Sequence, residues 1–389
     1  MRLRHILSLD DLEAAARRHL PRPIFGFVAG AAETNWSLRD NREVFAQYGL
    51  RPRVLVGVAT RSSAASLFGR EYAAPFGIAP MGLSALVAYR GDLVLARAAA
   101  AANVPMIMSA SSLIPMEEVI RANPEAWFQA YLPGEPDRIA ALVERVAAAG
   151  FGTLVHTVDV IVAANRENNV RSGFATPLRP SVRLAWDGLI RPRWSVGTFL
   201  RTLAKHGMPH FENSYATRGP PVLSRHASRD FGERAHLSWE HVAQIRARWK
   251  GRFVLKGILC GEDARIAREL GCDGVIVSNH GGRQLDGAVS PLRVLPEVVA
   301  QSGDMCVMID CGFRRGSDVL KAIALGARFV FVGRPFLYAA AIAGEAGVRH
   351  AIDLLAAEVL RDMGLLGINR LDEMGPDRLM HVGPRVGGG

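Results

Sequence analysis

The run Gly274-Val275-Ile276-Val277-Ser278-Asn279-His280-Gly281-Gly282-Arg283-Gln284-Leu285-Asp286-Gly287 passes without a break from an apolar stretch into a polar cluster. Its first part reads as a strand buried on both faces, as in parallel sheets. Its second part reads as the loop leaving that strand. The paired glycines let the backbone turn sharply or approach a ligand closely. His280 and Arg283 stand three residues apart in this loop. A guanidinium that can fork onto a carboxylate, next to an imidazole that can move a proton, suits a small acid. Either residue alone reads as a solvated side chain at a strand end. The pairing gains weight because polar residues recur at the ends of other strand-like runs.

Outward from this stretch, apolar strand-like segments fall at 76–80, 104–109, 127–131, 153–159, 252–256, 274–279, 306–310 and 329–333. Ala- and Leu-rich helical runs lie between most of them, at 92–102, 136–149, 263–270 and 317–325. Strands alternating with helices predict a parallel sheet closed into an α/β (β/α)8 TIM barrel. An open doubly wound sheet is the alternative, but no GxGxxG follows the first strand. Residues 1–74 precede the barrel. Leu9, Leu12, Ala16 and Leu20 repeat there at helical spacing, which predicts a helical cap over one end. The expected organisation is one domain: a cap at 1–74, barrel at 75–172 and 236–365, an insertion after the fourth strand at 173–235, and a tail at 366–389.

The 389 residues are 49% hydrophobic and 22% charged, which suits a folded core. Cys260, Cys272, Cys306 and Cys311 form no CxxC pair and no metal spacing, so they read as reduced thiols of a cytoplasmic protein with no metal. The first residues lack the apolar core of a signal peptide, and no run is long enough to span a bilayer. The formal charge of +10 is spread along the chain without a nucleic-acid module. An anionic substrate, a phosphate-bearing cofactor or an acidic membrane surface accounts for it instead.

Barrel enzymes carry their chemistry at the C-terminal ends of the strands. The first strand ends in Pro80-Met81-Gly82 and the second near Ser111. The third puts Gln129 and Tyr131 on one face, and the fourth does the same with Thr157 and Asp159, with Arg166 shortly beyond. The fifth ends at Lys256. The sixth gives Ser278, His280 and Arg283. The seventh runs into Asp310-Cys311-Gly312-Phe313-Arg314-Arg315-Gly316, and the eighth into Gly333-Arg334. Glycine- and arginine-bearing loops after the last two strands match a common phosphate site of barrels, to which a helix starting at Gly316 adds its first amides.

The insertion contains Trp186, Trp194, Phe199 and Phe211 among Arg179, Arg183, Arg191, Arg193, Arg201, Lys205, Arg218, Arg225 and Arg229. Aromatic residues interleaved with cations suit a membrane interface, and they equally suit a loop packed over an active site. Both readings stand at this point.

The words Ser278-Asn279-His280-Gly281-Gly282-Arg283-Gln284-Leu285-Asp286, Phe128-Gln129-Ala130-Tyr131, Thr157-Val158-Asp159 and Gly333-Arg334-Pro335 together resemble the FMN-dependent α-hydroxy-acid dehydrogenase/oxidase family. The resemblance runs from about residue 9 to about residue 379. Arg191-Pro192-Arg193-Trp194-Ser195 and Gly207-Met208-Pro209 look more like its lactate and mandelate dehydrogenase branch than like glycolate oxidase. It implies that FMN is the cofactor and that an L-2-hydroxy acid is oxidised to the 2-keto acid. A quinone-type acceptor or O2 would then take the electrons. It further implies a homotetramer, in the cytoplasm or peripheral on the inner face of the cell membrane.

The resemblance also implies roles. Pro80, Met81 and Gly82 would lie along the flavin, with Ser111, Gln129 and Thr157 at its polar edge and Lys256 at its N1/O2 end. Ser278 would hold the ribityl region. Asp310, Cys311, Gly312, Phe313, Arg314, Gly333 and Arg334 would bind ribityl and phosphate. Arg166, Arg283 and Tyr131 would bind substrate, His280 would be the base, and Asp159 would orient it. Three positions depart from the family pattern. Phe27 stands where the family has a tyrosine on the substrate carboxylate. A hydrogen bond to a charged group is typically worth about 1.5–3 kcal/mol, so carboxylate binding should weaken or be organised differently. Leu113 replaces an aromatic residue and should enlarge or reshape the side-chain pocket, and Cys311 replaces a glycine. An enzyme of altered substrate class, a flavin- or phosphate-binding protein without turnover, and a barrel isomerase or aldolase are the competing readings.

Overall fold

The computed structural model describes residues 3–132, 135–174, 181–224 and 234–383. Eight parallel strands form the sheet: β1 (Phe76–Ile78), β2 (Ile107–Ser109), β3 (Trp127–Ala130), β4 (Thr153–Thr157), β5 (Arg252–Ile258), β6 (Gly274–Val277), β7 (Cys306–Ile309) and β8 (Phe329–Val332). Each pairs with the next, and β8 pairs with β1 through Val330–Phe76 and Val332–Ile78. A bridge from Ile78 to Met106 joins β1 to β2 and closes the barrel. The helices α1 (Gly91–Ala101), α2 (Met116–Ala122), α3 (Pro136–Ala148), α4 (Trp239–Arg248), α5 (Gly261–Glu269), α6 (Pro291–Ser302), α7 (Gly316–Ala324) and α8 (Arg334–Leu366, broken by a kink at Ala343 and Gly344) follow the strands in turn. The expected (β/α)8 barrel is therefore the observed fold.

The strands are short, β-branched and aromatic, and buried on both faces, as parallel strands must be. Trp127, Val155, Val254, Ile276, Met308, Phe329 and Phe331 fill the interior. Their neighbours Phe128, Leu154, Phe253, Val275 and Val277 pack outward on the helices. The strand segments predicted at 76–80, 127–131 and 153–159 run past the observed ladders. The overhanging residues Pro80, Tyr131 and Asp159 have left the sheet, and their side chains belong to the site.

The segment before the barrel divides between the two ends. A hairpin of Ala65–Leu67 and Arg70–Tyr72 plugs the N-terminal mouth. Phe68 packs there on Trp127, with centroids 5.5 Å apart, and Tyr72 on Phe329 at 5.8 Å. The helices Arg22–Ala29 and Trp36–Glu43 lie instead against the loops at the C-terminal end. Asp286 accepts from the Thr34 amide at 2.9 Å and the Ser37 amide at 3.0 Å, satisfying amides at the start of the second of these helices. Asn41 and Asn279 exchange two side-chain hydrogen bonds of 2.8 Å. Arg283 Nη1 donates to the carbonyls of Phe27 and Gly30, at 2.8 and 2.6 Å. The loop after β6 is thus the anchor that holds the N-terminal helices over the site.

Candidate active site

A cleft opens at the C-terminal end of the barrel, and every strand-end loop from the first to the eighth except the second-strand continuation at Leu113 contributes to its wall or backing. On the wall lie Pro80, Met81 and Gly82 after β1, Ser111 after β2, and Tyr131 after β3. Thr157 and Arg166 come from β4 and its loop, Lys256 from β5, and His280 and Arg283 from the loop after β6. Asp310, Cys311, Gly312, Phe313 and Arg314 follow β7, Gly333 and Arg334 follow β8, and Phe27 comes from the N-terminal helices.

His280 sits at φ +58, followed by Gly281 at +70 and Gly282 at +72. This left-handed run is strained only at His280, since glycine adopts it freely. A Cβ at Gly282 would stand 2.6 Å from the Leu38 amide nitrogen, so the close approach of the N-terminal segment requires glycine there. The turn aims the imidazole into the cleft. Its Nδ1 lies 3.0 Å from Asp159 Oδ1, and its Nε2 lies 3.4 Å from the Tyr131 hydroxyl. Burial pushes the His280 pKa below its ordinary value, with Asp159 opposing and Lys256 and Arg166 adding to the fall. Burial alone would raise the Asp159 pKa, but the charges of His280 and Lys256 and the imidazole hydrogen bond carry it below the usual carboxylate range. With Nδ1 on Asp159, Nε2 is the nitrogen turned toward Tyr131 and the cleft. Asp159 reaches this position because Gly257 makes a bulge in β5 at φ +112. A Cβ there would meet Asp159 Cβ at 2.7 Å.

Lys256 lies on the floor. Its ammonium donates to Ser278 Oγ at 2.7 Å and pairs with Asp310 Oδ2 at 2.9 Å. Burial would discharge it, but Asp310 and Asp159 outweigh that and raise its pKa. At the far end Arg314 is buried beside Arg334 and Arg42. Burial and these two like charges push its pKa down to about 10. Arg314 Nη1 donates to the Phe313 carbonyl at 2.9 Å, and Arg334 Nη2 to the carbonyls of Gly30 and Gly281 at 3.1 and 2.9 Å.

The residues present fit FMN. Thr157 Oγ1 on the wall and Gln129 Nε2 behind it are buried without hydrogen-bond partners, and such an orphaned hydroxyl and amide call for a polar partner. The clustered guanidiniums suit a phosphate. The Gly82 Cα lies so close to Ser111 that a Cβ would stand 2.7 Å from Ser111 Cβ, which keeps the wall there flat and narrow.

A model of the family described as FMN-dependent dehydrogenase matches residues 16–381. The chain belongs to that family. It is 36% identical to (S)-mandelate dehydrogenase of Pseudomonas putida over 380 residues, 97% of this chain and 95% of that one. It is 39% identical to L-lactate dehydrogenase of Stenotrophomonas maltophilia (strain R551-3) over 384 residues, 97% and 99% of the two. The crystal structure of a monotopic membrane protein, (S)-mandelate dehydrogenase, superposes with a TM-score of 0.89 at 36% identity, covering 97% of this chain and all of that one. A mandelate oxidase structure matches at 37% identity and a TM-score of 0.79, covering 96% and 98%. FMN is the cofactor of this family.

Several expectations need correcting. Ser278 is fully buried behind the wall, and its Oγ serves Lys256 and, at 3.1 Å, the His280 amide. There it tethers both groups. Leu113 is buried and does not reach the cleft wall. The amides at the start of α7 are taken by carboxylates of the chain itself rather than left for a phosphate. Asp318 accepts from the amides of Arg314 and Arg315 at 3.0 and 3.1 Å, and Glu358 from that of Gly316 at 2.8 Å. Trp194 is buried, 8% exposed, with its Nε1 donating to the Leu86 carbonyl at 2.8 Å, whereas Trp186 is 60% exposed.

The insertion supplies to the wall Phe211, as the reading of a loop over the active site expects, and residues that sequence reasoning missed: Ser214, Tyr215, Pro220 and, beyond the segment 225–233 that lies outside the described residues with Arg225 and Arg229, Arg234. Arg179 likewise lies outside the described residues. Asn213 pins this stretch to the barrel, accepting from the Met116 amide at 2.9 Å and donating to the Ile114 carbonyl at 2.7 Å. No local motif marks these residues, because only the closed fold brings them over the strand ends. Arg42 was missed for the same reason.

Proposed function

We propose that this protein oxidises an L-2-hydroxy acid to the corresponding 2-keto acid. The observation that carries the reading is the His280–Asp159 pair, held 3.0 Å apart beside two arginines in the FMN cleft. Arg166 and Arg283 bind the substrate carboxylate. Arg283 is stiffened for this by the carbonyls of Phe27 and Gly30, and its guanidinium lies 5.1 Å from the Phe27 ring centroid. Tyr131 donates toward the substrate's oxygen. His280 Nε2 takes a proton from the substrate, and Asp159 stabilises the imidazolium that results. Bound FMN supplies the electron-pair acceptor, and Lys256 supplies fixed positive charge on the floor of its site. The solved mandelate dehydrogenase and mandelate oxidase share the fold, which supports a hydroxy acid with a bulky side chain. Phe27, stacked on Phe174 at 4.5 Å, offers that side an apolar wall in place of a hydroxyl.

The acceptor we favour is a quinone-type oxidant reached from a membrane surface. Val182, Trp186 and Leu189 recur on one face of the helix Val182–Leu189, and Val196 and Leu200 follow on the next helical stretch. All are exposed, among Arg183, Arg193 and Arg201. No helix among the described residues is long and apolar enough to cross a membrane, so docking would be peripheral. O2 is the second reading, supported by the likeness to a mandelate oxidase. Purified protein should be yellow and should convert aromatic or long-chain L-2-hydroxy acids to keto acids faster than glycolate. A colourless protein, or a strong preference for glycolate, would overturn the proposal.

A further inference from the structure

Cys311 occupies a backbone position that favours glycine. Its φ is +76, in the left-handed region, where a Cβ brings strain. The thiol on that strained residue is fully engaged. Sγ donates to Asp310 Oδ1 at 2.8 Å and accepts from the Gly281 amide at 3.1 Å. Ser278 Oγ lies 3.8 Å away. The other oxygen of the same carboxylate, Asp310 Oδ2, pairs with Lys256 Nζ at 2.9 Å. Asp310 therefore divides its two oxygens between a thiol and an ammonium. Burial pushes the Cys311 pKa well up, with the negative charge of Asp310 adding to it, so the sulfur keeps its proton and stays a donor.

We infer that Cys311 is a positioning residue that sets how much of the Lys256 charge the cofactor feels, by holding one oxygen of Asp310 away from that ammonium. The inference rests on the FMN site described above. A hydrogen bond donated to a carboxylate draws off part of its negative charge and fixes its rotation. With the thiol in place, Lys256 sits on the Oδ2 side of the carboxylate, 2.9 Å away, and is anchored by Ser278. Without it, the carboxylate turns both oxygens toward the ammonium and neutralises more of its charge. The cofactor gains negative charge when it takes an electron pair, and the positive charge beneath it then counts for less. Cys311 also ties the loop after β7 to Gly281, directly after the base, so one side chain couples the floor of the cleft to the His280 turn.

The test is the two-electron midpoint potential of FMN in the holoenzyme for wild type, C311G, C311A and C311S, with thermal unfolding measured alongside. C311G removes the thiol and relieves the left-handed strain. C311A removes the thiol and keeps the strain. C311S keeps a donor. The potentials of C311G and C311A should fall together, by a three- to tenfold change in the equilibrium constant for reduction, about 15–30 mV for a two-electron couple. C311S should stay close to wild type. Unfolding temperatures should follow the backbone instead, with C311G above C311A. The inference is overturned if C311G binds FMN at the wild-type potential, or if the potentials follow the unfolding temperatures. Wild-type protein that binds no FMN would instead refute the cofactor assignment, a separate outcome.

Discussion

At the residue scale, the proposed oxidation turns on one imidazole whose charge is set by its surroundings. Burial lowers the His280 pKa below its ordinary 6.5, and Asp159 works against that fall. A base must be neutral to accept a proton, so kcat/KM should drop as pH falls through the folded-state pKa, which lies below 6.5. Asp159→Asn removes the charge that favours imidazolium. It should lower the rate of flavin reduction by about 10²–10⁴-fold and carry the acid limb of the profile to still lower pH. A pH–rate profile of the variant checks this, and a reduced rate with an unmoved limb would make Asp159 merely structural. His280, Asp159 and Arg283 were legible in the sequence because strand ends betray themselves as polar letters after an apolar run. The burial of Ser278, the division of Asp310 between Lys256 and Cys311, and the absence of Leu113 from the wall were not. Each depends on which way a loop side chain turns after the ladder stops.

At the element scale, glycines decide where strands bend. Gly257 interrupts β5 at φ +112, and Asp159 fills the space that a side chain there would take. Gly257→Ala should destabilise the fold by roughly 1–3 kcal/mol and slow flavin reduction more than that loss explains, because Asp159 must move from His280. Thermal unfolding and reduction rates measured together test this. Full activity in the alanine variant would show that the bulge does not position the dyad. The eight strands were readable from composition because parallel strands are apolar throughout, whereas the bulge is one glycine among many and carries no local signal. The insertion reads differently again. Its interleaved aromatics and cations left two readings open, and different parts of the described chain support each. Phe211 and Tyr215 turn inward to the cleft, while Val182, Trp186 and Leu189 face out. On the membrane proposal, the protein should float with anionic liposomes at low salt and less so at high salt, as the surface field is screened. Leu189→Glu should weaken flotation without changing the flavin spectrum. Failure of the wild-type protein to float at low salt would leave the insertion as a wall of the cleft alone.

At the scale of the whole molecule, the segment before the barrel closes both ends. A hairpin seals the N-terminal mouth, and two helices roof the site, fastened by Asp286, Asn279, Arg283 and Arg334. A single helical cap was the reading that helical spacing at Leu9 to Leu20 suggested. The hairpin leaves little mark in the sequence because its strands are three residues each and half polar. Since residues far apart in the chain meet only over the strand ends, the proposed base, the two arginines beside it and the cofactor wall should assemble or fail together. The most direct test of that account follows bound FMN absorbance in anaerobic single-turnover mixing with an L-2-hydroxy acid, for wild type and His280→Gln. The wild-type protein should bleach with the L-acid and not with its D-enantiomer. The variant should bind FMN and bleach about 10²–10⁴-fold more slowly. Bleaching of His280→Gln at the wild-type rate, or a yellow wild-type protein that no 2-hydroxy acid bleaches, would contradict it.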